Sequence, residues 1–108
     1  MARQDAAALL ASTGLPVVYD RWPDGATPTF PCIRYMHAGE ANMRCDNGDY
    51  FRVDEWDAYL ITEWKDDATE ALLEGAFEDA GIVPSRFEDE YDRDERLYTA
   101  SWRFQLPR

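Results

Sequence analysis

Two stretches of the chain carry clear hydrophobic periods. Thr69, Leu72, Leu73, Ala76, Phe77 and Ala80 recur at helical spacing. Asp67, with Glu70 three residues later, matches a capping box. Gly81 closes the run and Pro84 follows it, so an amphipathic helix of about fourteen residues is predicted. Gly75 in its middle costs about 1 kcal/mol against alanine, and suggests close approach of the helix to a sheet. Near the other end of the chain, Tyr98, Ala100, Trp102, Phe104 and Leu106 alternate strictly. That is the period of a strand with one buried face.

The remaining elements follow from weaker signals. Ala2 to Thr13 is rich in alanine and leucine, with Ala6, Leu9 and Leu10 on one stripe. It reads as a short helix ended by Gly14 and Pro16. Pro16 to Asp20 reads as a short strand, Trp22-Pro23-Asp24-Gly25 as a turn, and Cys32 to Met36 as a second strand entered through Pro31. His37 to Asp49 reads as a loop in which Asn47-Gly48 favours a tight reversal. Tyr50 to Trp64 is the longest strand candidate. Its apolar residues sit on odd positions at Phe51 and Val53 and on even positions from Trp56, which places a bulge or bend near Asp54-Glu55. Trp56, Trp64 and Trp102 are assigned to the core or its rim. Arg86 to Leu106 reads as a hairpin, with Phe87 and Tyr91 on its first arm and Asp92 to Glu95 at its turn. The predicted fold is therefore α+β: one domain over residues 1–108, an antiparallel sheet of about four to five strands, and two helices on one face, in the order α-β-β-β-α-β-β.

Charge narrows the partners. Eleven basic and 22 acidic residues leave a net charge of −11. Such a surface repels phosphate backbones and anionic membranes, and leaves basic or neutral protein partners. Hydrophobic residues at 45% exclude a disordered acidic tail. No apolar run reaches the length of a membrane span, and the first residues lack the apolar stretch of a signal peptide, so a cytoplasmic product is expected.

Catalytic chemistry is hard to find. His37 is the single histidine and has no nucleophile motif beside it, so a non-enzymatic protein with no cofactor is expected. Cys32 and Cys45 do not form a CxxC pair and cannot build a zinc site with one histidine. They read as thiols, one buried and one in a loop, although spacing alone leaves a disulfide open. The acidic run from Glu88 to Glu95 fails the calcium-loop pattern, because positions six and twelve from Asp89 are Asp94 and Ala100. No metal site is expected. Trp22, Phe30, Met36, Met43, Arg44, Tyr50 and Arg52 cluster in and around the Pro/Gly turn and the long loop. Aromatic, Met and Arg side chains are enriched at protein interfaces, which makes these seven the candidate interaction residues.

The order of motifs resembles a known family. Leu10-x-x-Thr13-Gly14-Leu15-Pro16-Val17-x-Tyr19-Asp20 and Pro31-x-Ile33-x-Tyr35 are similar to the opening of small tail-region proteins of siphophages and prophages. The Tyr50–Trp64 strand, Asp66-Asp67 with its helix, Ala80-Gly81-Ile82 and the final acidic-to-aromatic hairpin continue the likeness over nearly the whole chain. It does not extend to the loop Cys45–Asp49 or to Arg44. The family resembled is that of tail terminator, or tail completion, proteins, encoded between the head–tail connector genes and the major tail tube gene. The resemblance implies a hexameric ring of this chain in the virion tail, assembled in the host cytoplasm. That ring caps the tail tube, stops its polymerisation and meets the head connector, while DNA passes through without specific binding. A neck or head-completion protein is the neighbouring possibility. An acidic, DNA-mimicking inhibitor of a basic protein is the possibility from another class.

Overall fold

The computed structural model describes residues 3–20, 29–41, 43–44 and 50–107. Two helices and eight strands follow in order: α1 (Arg3–Ala11), β1 (Val17–Tyr19), β2 (Cys32–Glu40), β3 (Met43–Arg44), β4 (Tyr50–Phe51), β5 (Val53–Thr62), α2 (Asp67–Asp79), β6 (Ser85–Arg86), β7 (Glu90–Asp92) and β8 (Leu97–Pro107). The fold is α+β, a mixed but mostly antiparallel sheet of six strands with the helices against one face.

Sheet order is β1-β2-β5-β8-β6, with β7 also on β8. Among the described residues every strand pairing but one is antiparallel. The exception is β1, which runs parallel to β2 with Val17 opposite Ile33 and Tyr19 opposite Tyr35. An all-antiparallel sheet was expected. Residues 20–31 between these strands are about a dozen, the length a parallel crossover requires and far more than a tight hairpin uses.

The core lies between the sheet and the helices. Ala6 and Leu10 of α1 and Leu73 and Phe77 of α2 pack over Ile33, Ala58, Leu60, Ala100, Trp102 and Phe104. The even positions of β8 are buried from Ala100 to Leu106, as the alternation predicts. Gly14 ends the first helix region with φ 83°, and Gly81 follows α2 with φ 72°, conformations that cost glycine least.

Several local expectations need correction. The cap of α2 is Asp66, one residue before the predicted one. Its carboxylate accepts from the Thr69 N–H at 3.1 Å and the Thr69 hydroxyl at 2.7 Å. Those bonds, the hydroxyl first and the backbone second, hold the Asp66 carboxyl below its ordinary range. Gly75 makes no close approach, since a Cβ there would meet nothing within 4 Å. Leu72 and Trp64, expected to be inward, are 52% and 58% exposed; Trp64 lies just past the end of β5. The final hairpin has a broken first arm. β6 faces Trp102 and Arg103, β7 faces Leu97 to Thr99, and residues 87–89 separate them, which is why the sheet has more strands than expected.

The largest correction concerns the loop assigned to His37–Asp49. β2 runs on through His37 to Glu40, and the irregularity expected near Asp54-Glu55 does lie beside Glu55, but its extra residue is on β2 and not on β5. His37 faces Trp56 and Gly39 faces Glu55, leaving Ala38 as the extra residue, with Gly39 at φ 140°. β5 keeps a single phase. Asp54 occupies its inward position, so the apolar pattern breaks there although the strand does not.

Candidate assembly interface

Beyond the bulge, β2 and β5 continue past the end of β8 into a short two-stranded ribbon, β3 with β4. Gly39 faces Glu55, Glu40 faces Asp54, Met43 faces Phe51 and Arg44 faces Tyr50, all in one register. The Ala41 N–H donates to the Val53 carbonyl at 2.9 Å, bridging the two ladders. β8 ends with Pro107 opposite Val53. From there the ribbon advances alone by about 10 Å to Tyr50, at roughly 3.4 Å per residue. Among the described residues no third strand lies beside β3 or β4. The molecule measures 52 Å along its longest axis against 29 and 24 Å across.

Aromatic packing anchors the ribbon's base. Tyr19 stacks on Tyr35 at 5.1 Å, and Trp56 meets Tyr35 at 6.1 Å and the edge of His37 at 5.0 Å. His37 Nε2 lies 3.1 Å from the carboxylate of the buried Asp54. The indole N–H of Trp56 is buried without a hydrogen-bond acceptor among the described residues. Arg52, between β4 and β5, donates to Glu40 at 3.1 Å across the ribbon.

The sheet face opposite the helices is polar and ordered by charge. Arg103 grips Asp57 with two parallel bonds, Nε to Oδ1 at 2.8 Å and Nη2 to Oδ2 at 3.0 Å. Those bonds raise the Arg103 guanidinium above its ordinary value. Arg34 lies over the Tyr59 ring at 4.5 Å, and burial, then Asp57, raises the Tyr59 phenol. A second network joins α2 to the end of the sheet. Arg86 donates to Glu70 at 2.9 Å and to Asp89, and Lys65 donates to Glu70 at 2.8 Å and to Asp89. Burial opposes ionisation of Asp89, but Lys65 and Arg86 outweigh it and lower its carboxyl; hydrogen bonds to Asp89, then Glu70, raise Lys65.

A notch of about 620 Å³ opens at the free edge of β8. Ile82 and Val83 form one wall, Phe104 and Leu106 another, and Glu55, Arg103 and Gln105 line its polar side. Val83 is 94% exposed.

The seven interaction candidates divide. Met36, Met43, Arg44, Tyr50 and Arg52 all fall on the β2–β5 hairpin or the ribbon that extends it. Met36 is half-buried on the polar face opposite Asp57. Phe30 is half-buried before β2, at the far end of that strand from the ribbon, so the structure does not bring it to the others. Trp22, Cys45 and the Asn47-Gly48 reversal lie outside the described residues. Cys32 is fully buried. The sequence reading missed the notch. Its available signals were Val83-Pro84, an apolar residue just before a strand-entry proline, and Pro107, which cannot donate to an edge ladder.

No protein-family model matches the chain, and no curated protein does. Among the described residues no helix is long and apolar enough to cross a membrane, and no group of three His, Cys, Asp or Glu side chains is placed to hold a metal ion.

Proposed function

We propose that the chain is a structural protein of a phage tail, of the tail terminator kind. In this reading it forms a ring, with six copies as the resemblance implies. The ring caps the tail tube, stops its polymerisation and presents a face to the head connector. The observation that carries the reading is the ribbon. A two-stranded ribbon is marginal by itself in water, and gains most from a neighbouring molecule that supplies further pairing or packing. The likeness of the motifs to tail-region proteins supports the same conclusion. A closed ring needs a heterologous contact, in which one patch of each copy meets a different patch of the next. The ribbon and the notch are two such different patches. Acidic charge toward a central channel would let DNA pass without sticking. A neck or head-completion protein would use the same features at the adjoining ring.

The acidic-inhibitor alternative is the weaker one. Glu70, Glu74 and Asp89 are engaged by Lys65 and Arg86, so those carboxylates are not a free row for a basic partner. Mixing the protein with the tail tube protein of the phage or prophage that encodes it tests the proposal. Electron microscopy should show tubes that stop growing, with density at one end. Tubes that lengthen at the same rate with and without the protein would overturn it.

A further inference from the structure

We infer that the ribbon of one copy adds to the free edge of β8 in a second copy, seated in the notch beside Val83. The inference deepens the ring reading and rests on it only for the number of copies. In β8 the Ser101 carbonyl accepts from the Phe87 N–H at 3.0 Å, and Arg103 pairs with Ser85. Odd-numbered residues therefore turn their ladder groups to this edge, and even-numbered ones turn theirs to β5. Next along the edge are Gln105 and Pro107, which on the side away from β5 meet no strand among the described residues. Gln105 offers an N–H and a carbonyl, and Pro107 a carbonyl. That is enough for a short added strand, and the proline keeps the edge from pairing without limit.

The notch states what should enter it. An added strand would turn alternate side chains toward Ile82 and Leu106, which are apolar, and toward the face that carries Glu55. The matching sequence alternates apolar and basic residues. Phe51-Arg52-Val53 in the ribbon does so. Within one copy Arg52 is exposed at the ribbon surface, where it pairs across to Glu40. On a chain of net charge −11, a basic element that meets Glu55 of its neighbour, on a face where Arg103 is already held by Asp57, is complementary where most surface pairs would repel.

The test is the solution mass by sedimentation over a wide concentration range, with circular dichroism as the folding control. The full chain should self-associate. Gln105→Pro removes one edge donor and leaves the β5 ladder intact, so it should raise the dissociation constant at least tenfold with an unchanged spectrum. Glu55→Arg and Arg52→Glu should each weaken association, and the double exchange should restore it, which loss of fold would not do. Three results would overturn the inference: a full chain monomeric at every concentration, association indifferent to Gln105→Pro, or a double exchange as weak as the single ones. A six-copy ring indifferent to Gln105→Pro would leave the ring reading standing without this contact. Association that depends on the ribbon and Gln105 but never caps tubes would do the reverse.

Discussion

The body and the ribbon of this protein are built from the same two strands and held by different forces. In the body, β2 and β5 are flanked on both sides, roofed by α1 and α2, and filled by Trp102, Phe77 and Phe104, each almost wholly buried. In the ribbon the register of the same hairpin continues, but no helix and no third strand accompany it among the described residues. Hydrogen bonding carries across the boundary; the core cluster of buried side chains lies in the body. Ladder pairing is worth little net in water, because each bond replaces one to solvent. Stability therefore resides in the body, and the ribbon is the part left to gain from a partner.

The difference can be broken from the body's side first. Phe77→Ala should cost about 3–5 kcal/mol in urea unfolding, since the ring is buried against Phe104 at 5.0 Å and leaves a cavity. Asp57→Ala should cost less, roughly 1–2 kcal/mol, because Arg103 keeps solvent access after losing its partner. Gly75→Ala should stabilise by about 0.5–1 kcal/mol, because the helix gains propensity and the added methyl meets nothing. Joining Ala41 to Val53 through Asn-Gly, which removes the ribbon, should change stability least, yet abolish self-association in a sedimentation run.

A pH series probes the cap of α2 and the network of Lys65, Arg86, Glu70 and Asp89. Asp66 and Asp89 have carboxyls lowered by folding. Their contributions are complete above the unfolded value of about 4 and are lost as pH falls through the folded values. Lys65 is raised, so its contribution is complete below about pH 10 and is lost as pH climbs through the folded value. Melting temperature should thus fall at both ends, and Asp66→Asn should flatten part of the acid limb.

How much of this the sequence revealed depends on how many signals agreed at each place. α2 was legible because period, cap and stop coincide, and its cap slipped by only one residue because Asp66 and Asp67 are both competent caps. β8 was legible because Tyr98, Ala100, Trp102, Phe104 and Leu106 alternate without interruption, and the last four are buried. The parallel placement of β1 was not, since pairing direction depends on the path of residues 20–31 and not on strand composition. The ribbon was misread because Gly39, Asn42, Asn47 and Gly48 outweigh strand formers between Met36 and Tyr50. Asp54 hid the phase of β5, because a buried carboxylate facing His37 reads as an outward residue. Candidate interface residues were chosen by type, and five of the seven fall on the hairpin or its ribbon. The notch was missed because an open edge is a property of neighbours that are not there.

The most direct measurement is amide hydrogen exchange of the full chain at low and high protein concentration. Amides of β3 and β4, together with Gln105, should exchange fast when dilute and become protected together when concentrated, while those of α2 and the middle of β5 stay slow throughout. Ribbon and Gln105 amides that exchange at the same rates at both concentrations would contradict the account.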